Sequence, residues 1–270
     1  MKVYMITDVE GVAGVVNWRE FGRPTHRHYE CCRRLTTGEI NAAVDGLFAG
    51  GATEVLVDDA HGRGGIDPEL LDPRALYLRK ASLPKEGDRR MRMMDESFDA
   101  LTFVGQHPKS GTEYGHLCHT GSFSSLEVRV NGVAVGEFGA RALCANELGV
   151  ATVFLSGDQA ACREAEDLFP GIVTAAVKYG LTPGTGDELG PEAYATRNET
   201  AIHFHPRRAR ALIREGAQQA MERLAAEPGF GRIDFPPPYR RVERLRATDA
   251  APVRETVREH PTSLIPLCGA

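Results

Sequence analysis

The order of short apolar runs in the first 110 residues constrains the fold of this chain more than any other feature. Residues 2–7 (KVYMIT), 54–57 (EVLV) and 100–104 (ALTFV) have the length and apolar content of buried strands. Between the first two, apolar residues recur at helical spacing from Thr37 to Phe48, and Thr37 is the predicted N-cap. Parallel strands need such crossover helices. We therefore predict an α/β fold with a parallel-sheet core of βαβ units.

The middle of the chain continues this pattern after one interruption. Alternating residues in 126–136 (LEVRVNGVAVG) flank Asn131-Gly132, which is the strongest short signal for a β-hairpin. Asp158 is the predicted N-cap of a helix that follows a further strand. The predicted elements are a helix over 140–148, a strand over 151–155, a helix over 159–168 and a strand over 172–177.

The pattern weakens after Lys178. Residues 179–191 are rich in Gly, Pro and Thr and predict a loop, whereas 206–226 predict an amphipathic helix. Residues 234–239 (DFPPPY) predict a rigid turn or linker, and the last thirty residues are charged without a core pattern. We therefore divide the chain into an α/β domain over 1–178 and a second, smaller C-terminal part of helix and loop over 179–270.

Potential metal ligands follow each of the first three predicted strands. In an open parallel sheet, ligands bind beyond the carboxyl ends of the strands, where these side chains would meet. Carboxylates two residues apart repel each other unless a cation lies between them, and a mixture of imidazole and carboxylate suits zinc. The domain 1–178 is thus predicted to be the metal-binding, catalytic one. The candidates are Asp8 and Glu10 after the first strand, Asp58, Asp59 and His61 after the second, His107 after the third, and Glu137 after the hairpin.

Each candidate also has an ordinary structural interpretation. Acidic residues at strand ends often cap turns, and a single histidine after a strand is more often a surface residue. His116 and His119, in a segment rich in Gly, Ser and Thr, are candidates for proton transfer or incidental residues of a solvated loop. The remaining pairs, His26 with His28 and His203 with His205, are expected at the surface.

Composition excludes several classes of partner. The net charge of −5 and the pI of about 6.0 do not favour a nucleic-acid partner. No apolar run approaches the roughly 20 residues of a membrane helix, so no membrane partner is expected. Asp8 and Glu10 interrupt the stretch that a secretion signal would need, which predicts a cytoplasmic protein with six reduced cysteines.

Six motifs in order resemble those of the M55 metallopeptidases, the D-aminopeptidase family. They are YMITDVEGVAG, TEVLVDDAHG, FVGQHPKSGT, CHTGS, VNGVAVGEFGARA and LSGDQAACREAEDLFPGIVTAAVK, and they cover residues 1–178. Each motif alone is moderately specific, but their ordered succession is highly specific. By this resemblance, five residues would hold two zinc ions as cofactors: Asp8, Glu10, His61, His107 and Glu137.

The same resemblance assigns the catalytic histidine. His119, followed by Thr120, matches the family's catalytic histidine, which is described there as a nucleophile, and His116 is the competing candidate. We favour a general-base or electrostatic role for His119, because water activated by the metals is already a good nucleophile.

The resemblance further implies short peptide substrates with an N-terminal D-residue such as D-Ala. It also implies a homo-oligomer, with a closed decameric ring as its specific form. Arg141, two residues after the GExG motif, and the segment after Lys178 depart from the family pattern. These departures bear on substrate choice and on assembly, whereas the set of metal ligands is intact.

Two other functions fit a fold with carboxylates at strand ends. A Mg²⁺-dependent phosphohydrolase is one, but the first motif has Glu10 where aspartyl-phosphate enzymes need a second Asp, and imidazole is a poor Mg²⁺ ligand. A non-catalytic assembly protein is the other, although a scaffold has no need of five ligands. The sequence therefore favours a zinc aminopeptidase over both alternatives.

Overall fold

The computed structural model describes residues 1–79 and 94–268, so the last two residues of the predicted C-terminal part lie outside the described residues. The strands are β1 (Lys2–Thr7), β2 (Glu54–Asp59), β3 (Leu76–Leu78), β4 (Ala100–Gln106), β5 (Ser125–Val130), β6 (Val133–Ala134), β7 (Ala151–Asp158), β8 (Val173–Gly180), β9 (Ala201–His203), β10 (Tyr239–Leu245) and β11 (Arg254–His260). The helices are α1 (Trp18–Phe21), α2 (Tyr29–Ala49), α3 (Glu137–Glu147), α4 (Gln159–Leu168), α5 (Pro191–Arg197), α6 (Pro206–Ala226) and α7 (Ile265–Cys268).

The main sheet of the described residues has seven strands in the order β3-β2-β1-β4-β7-β8-β9. All neighbouring strands are parallel except β9, which runs antiparallel to β8 at the edge. The strand β1 lies between β2 and β4, and its last residue Thr7 pairs with Asp59 on one side and Val104 on the other. The predicted α/β fold with a parallel core is confirmed, and the carboxyl ends of β1, β2 and β4 lie side by side.

Two long helices, α2 and α6, pack together on one face of the main sheet. Ile40 and Leu47 of α2 and Ile213 of α6 are fully buried in a core that they share with the sheet. The helix α2 begins eight residues before the predicted start, so Thr37 is not its N-cap. The hydroxyl of Thr37 instead donates to the carbonyl of Arg33 within the helix. No helix of residues 1–79 and 94–268 is long and apolar enough to cross a membrane.

A second, antiparallel sheet has the order β11-β10-β5-β6 within the described chain. The predicted hairpin at Asn131-Gly132 is confirmed, with φ of 47° and 83° at these two residues, as a tight two-residue turn requires. The strands β10 and β11 come from the charged C-terminal region, where the sequence shows no core pattern. The reason is that β11 is largely exposed, so its residues carry no apolar alternation. A second, smaller part of the fold is therefore present as a sheet, but its strands β5 and β6 belong to the stretch 1–178. The division of the chain after residue 178 stays a prediction.

Candidate metal centre

All six residues predicted for the site lie at the carboxyl edge of the main sheet. Asp8 and Glu10 follow β1, and His61 follows β2. The other three are His107 directly after β4, His119 in the loop between β4 and β5, and Glu137 as the first residue of α3. Their ligand atoms form two adjoining groups, which we call the inner group (Asp8, Glu10, His61) and the outer group (His107, His119, Glu137).

The inner group is buried. Nδ1 of His61 lies 3.0 Å from Oδ1 of Asp8 and 3.4 Å from Oε2 of Glu10. The carboxylate of Glu10 is 2% exposed, and its Oε2 has no hydrogen-bond partner among the described residues. A buried carboxylate oxygen without a donor is costly, unless a cation occupies the space that it faces.

The outer group is more open. Oε1 of Glu137 lies 3.5 Å from Nε2 of His107 and 3.7 Å from Nε2 of His119, and the side chain of Glu137 is 39% exposed. The imidazole rings of His107 and His119 stack with their centroids 3.8 Å apart. Nε2 of His107 is buried and lacks a hydrogen-bond partner within the described chain. This nitrogen is therefore also oriented as a ligand would be.

Asp8 connects the two groups. Its Oδ1 faces His61 of the inner group at 3.0 Å, and its Oδ2 faces Nε2 of His107 of the outer group at 3.5 Å. One carboxylate that presents a different oxygen to each side has the geometry of a ligand shared by two cations. Each of the two groups brings together three potential ligands, and Asp8 lies between them.

A close approach of β1 and β4 brings Asp8 to this position. The amide of Asp8 donates to the carbonyl of Val104 at 2.9 Å, and the amide of Gly11 donates to the carbonyl of Gly105 at 2.8 Å. Gly105 has a φ of 78°, and a Cβ there would lie 2.1 Å from the carbonyl oxygen of Asp8. Only glycine fits this position, which is a reason for the glycine in the FVGQH motif.

In all three histidines of the centre, a hydrogen bond to the backbone fixes which ring nitrogen faces the carboxylates. In each ring, the nitrogen that points away from the centre lies within hydrogen-bonding distance of a backbone carbonyl, to which it donates. This contact leaves the other nitrogen as the candidate ligand, as is usual for histidines that bind metals. The pairs are Nε2 of His61 with Gly22 at 3.1 Å, Nδ1 of His107 with Pro108 at 3.0 Å and Nδ1 of His119 with Leu117 at 2.8 Å.

The electrostatics of the centre favour positive charge. Burial alone would raise the pKa of Asp8, but hydrogen bonds with His107 and His61 hold that pKa well below its usual range. Burial alone would lower the pKa of His61, yet the carboxylates of Glu10 and Asp8 raise it well above its usual range. The carboxylates thus attract protons to the imidazoles, and divalent cations would supply the same positive charge. The donor set of imidazole nitrogen and carboxylate oxygen fits zinc.

Two aromatic side chains lie beside the centre, and no pattern in the sequence pointed to either. The ring of Trp18 in α1 is centred 5.6 Å from that of His61, and the ring of Phe123 is centred 4.9 Å from that of His119. The two aromatic rings are 6.4 Å apart. Asn17 holds α1 in place, because its side chain accepts a hydrogen bond from the amide of Glu20 at 2.8 Å.

The other sequence candidates have structural contacts elsewhere. Asp58 accepts a hydrogen bond from the hydroxyl of Tyr4 at 2.8 Å, and Asp59 accepts one from the amide of Gly65 at 2.8 Å. His116 is buried outside both ligand groups. His203 was expected at the surface but is half-buried. Its Nδ1 accepts a hydrogen bond from the backbone amide of Gly14, in the loop after β1.

Comparison with known proteins identifies relatives of this chain. The chain is 32% identical over 192 residues to the D-aminopeptidase of Bacillus subtilis (strain 168), which is 71% of this chain and 68% of that protein. Its fold is similar to that of the Zn-dependent D-aminopeptidase DppA from Bacillus subtilis, a self-compartmentalizing protease. The TM-score is 0.79 at 24% identity, over 98% of this chain and 93% of the other. The family model of the M55 peptidases, described as D-aminopeptidase, matches residues 1–259, so the chain belongs to the M55 peptidases, the D-aminopeptidase family.

Proposed function

We propose that this protein is a binuclear zinc-dependent aminopeptidase that hydrolyses short peptides with an N-terminal D-amino acid such as D-Ala. The observation that carries the proposal is the position of Asp8 between the inner and outer groups, with one oxygen directed at each. Membership of a peptidase family supports the reaction class, and the D-aminopeptidase names of the family and its relatives support the substrate class.

The two zinc ions would divide the ligands between them. Glu10 and His61 would hold one ion, His107 and Glu137 would hold the other, and Asp8 would bind both. Buried, unpartnered atoms of Glu10 and His107 on the two sides of Asp8 support this division. A bound zinc pair polarises the scissile carbonyl and lowers the pKa of water towards neutrality.

His119 is proposed as the general base. Its Nδ1 donates to the carbonyl of Leu117, so Nε2 is the nitrogen that can accept a proton. Burial and the neighbouring His107 lower the pKa of His119, which keeps this imidazole neutral near pH 7. A neutral nitrogen beside Glu137 is well placed to take a proton from the attacking nucleophile and return it to the leaving amine.

We further propose that the protein is a homo-oligomer. The structural relative DppA is described as a self-compartmentalizing protease, which supports an assembly of several subunits here. A decameric ring is the specific form that we propose, and light scattering at micromolar concentration tests it. The cytoplasmic location expected from the sequence stays a prediction.

Neither alternative function gains support from the structure or the relatives. A Mg²⁺ phosphohydrolase would present mainly oxygen ligands, whereas three imidazoles approach this centre. A non-catalytic assembly protein would have no need of unpartnered buried ligand atoms.

The decisive experiment is an assay of the zinc-loaded protein with D-Ala-p-nitroanilide, beside L-Ala-p-nitroanilide and p-nitrophenyl phosphate. We expect turnover of the D-substrate, its loss on chelation and its return with zinc. The His119→Ala variant is the matched control, because it should keep its zinc and lose turnover. Preferential hydrolysis of the phosphate ester, or no hydrolysis by a protein that carries two zinc ions, would overturn the proposal.

A further inference from the structure

The loop that begins at Glu10 is held by side chains from distant parts of the fold. Residues 10–16, which we call the first loop, connect the inner group to the segment before α1, and they are mostly buried. Backbone amides and carbonyls in a buried loop need hydrogen-bond partners, which regular secondary structure would normally supply. In the first loop, four side chains supply many of them, and these side chains come from four separate places in the fold.

Lys178, near the end of β8, satisfies three carbonyls. Its side chain is fully buried, and Nζ donates to the carbonyl of Glu10 and, at 3.2 Å each, to those of Val12 and Val15. An ammonium group has three hydrogens, so its donors are matched to three acceptors of a single loop. One of these acceptors is the carbonyl of Glu10, a proposed metal ligand. Lys178 therefore contacts the backbone that orients the side chain of Glu10.

Glu39 and His203 satisfy two amides of the same loop. Oε1 of Glu39, in the middle of α2, accepts a hydrogen bond from the amide of Ala13 at 2.9 Å. Nδ1 of His203, in β9, accepts one from the amide of Gly14 at 3.1 Å. His203 must therefore be unprotonated at Nδ1, and burial lowers its pKa to about 4.

His116 completes the set from the loop between β4 and β5. Its Nε2 lies 3.1 Å from the carbonyl of Val16, to which it donates, and its ring meets that of His203 edge to face at 5.3 Å. This contact turns His116 away from the outer group, to which His119 belongs.

Burying an ammonium group is favourable only where opposite charge surrounds it. Burial lowers the pKa of Lys178 to about 8, while the carboxylates of Asp158, Glu39 and Glu10 oppose that shift. These carboxylates come from β7, α2 and the inner group, so the positive charge of Lys178 offsets negative charges from three parts of the fold. The same ammonium group thus contacts three carbonyls of the first loop and interacts with the charges of three carboxylates.

We propose that Glu39, His116, Lys178 and His203 are positioning residues that fix the first loop and thereby aim Glu10 and Asp8 at the metal centre. None of the four touches the reacting atoms in this assignment. The link to zinc rests on the proposed function, whereas the effect on the first loop does not. The proposal also gives His116 a role distinct from that of His119.

The first experiment compares Lys178→Met with a matched control, Glu147→Met. Glu147 also serves a loop, because it accepts hydrogen bonds from the hydroxyl of Ser263 and the amide of Leu264, both at 2.6 Å. It lies at the far end of α3, about 15 Å along the helix from Glu137. Both variants should lower the melting temperature, since each leaves buried polar groups without partners.

Only Lys178→Met should alter the first loop and the centre. Amide hydrogen exchange at residues 10–16 should accelerate about tenfold or more, because the loop opens more readily. Zinc affinity, measured by competition with a chelator, should fall by about 10- to 100-fold, as for residues that orient a ligand. Unchanged exchange in the first loop and unchanged zinc affinity would overturn the proposal, even if the melting temperature falls.

The second experiment uses conservative rescue at His116 and His203. His116→Gln keeps a donor near the Nε2 position and His203→Asn keeps an acceptor near the Nδ1 position, whereas His116→Leu and His203→Leu remove them. We expect the Gln and Asn variants to retain protection of the first loop and zinc affinity near those of the wild type, and the Leu variants to lose both. Equal effects of the members of each pair would overturn the proposal.

Failure of the proposed function leaves a different signature. A wild-type protein without turnover of D-Ala-p-nitroanilide would overturn the function alone, provided that exchange in the first loop still responds to Lys178→Met. Turnover by the wild type without any response of the first loop would overturn the positioning role alone.

Discussion

The inner and outer groups of the centre differ in how the protein holds them. In the inner group, Glu10 and His61 are 2% and 5% exposed, and side chains from four parts of the fold secure the adjoining loop. In the outer group, Glu137 is 39% exposed and lies at the start of α3. If the proposed function holds, this difference predicts separate roles, in which the buried inner group would retain metal and the more open outer group would meet the substrate.

The surroundings of the two groups agree with this division. Gly121 donates a backbone hydrogen bond to Oε1 of Glu137 at 2.9 Å, so the outer carboxylate depends on an exposed turn for its support. Glu10 depends on Lys178, which is fully buried. A ligand on an exposed support costs less to displace than one on a packed support, because fewer contacts are lost with it.

Asp8→Asn should have the largest effect, because Asp8 is the one proposed ligand that faces both groups. The amide cannot offer a negative oxygen to both sides, so zinc affinity in both groups should fall by more than about 100-fold, the upper range for a residue that only orients a ligand. Elemental analysis should find close to no zinc after dialysis. A variant that retains one ion with normal affinity would show that the groups do not share Asp8.

His119→Ala should separate catalysis from metal retention. The expected loss of kcat is about 10²-fold or more, the usual contribution of general acid–base catalysis, with zinc content near that of the wild type. His61→Ala is the matched comparison, because it removes an inner ligand and should lose zinc together with activity. If His119→Ala loses zinc to the same extent, His119 is a ligand of the outer group and not a general base.

Chelation should remove zinc in two phases that correspond to the two groups. We expect the outer ion to leave first, with an affinity about tenfold weaker, which corresponds to 1.4 kcal/mol. The single tryptophan, Trp18, lies 5.6 Å from His61, so its fluorescence should change mainly in the second phase. A fluorescence change confined to the first phase would reverse the proposed order of the groups.

The smallest predicted effect concerns acid stability and the support of the inner group. The pKa of His203 is lowered to about 4, so the folded protein binds fewer protons there than the unfolded chain. Stability from this residue is complete above pH 6.5, the usual pKa of histidine, and is lost as the pH falls towards 4. His116 faces His203, and Lys178 disfavours a second charge nearby.

His203→Asn isolates this contribution from the carboxylates that titrate in the same range. The free energy of unfolding should fall less steeply between pH 6.5 and pH 5 in the variant than in the wild type, because asparagine does not titrate. Urea denaturation at a series of pH values measures both slopes. Identical slopes would mean that His203 does not need to stay neutral in the folded protein.

The sequence was sufficient for the elements whose signals are local. Apolar runs located β1, β2 and β4, and the helix from Gln159 to Leu168 has the predicted bounds, with Asp158 accepting a hydrogen bond from the amide of Ala160. The six proposed site residues could be chosen from sequence because each follows a strand or hairpin, or belongs to a motif of the family. The boundaries were less accurate, as the early start of α2 shows.

Only the tertiary structure decided which of these residues contact one another. Lys178 and Glu10 are 168 residues apart in the chain, and His203 and Gly14 are 189 apart, so no local period could signal their contacts. The same holds for the two directions in which Asp8 points, for the rings of Trp18 and Phe123, and for the pairing of β10 with β5. The sequence by itself determined which chemical groups reach the edge of the sheet, because strand ends and motifs are encoded locally. Which of these groups face one another, and which hold the others in place, depends on the packing of distant segments, which only the folded chain brings together.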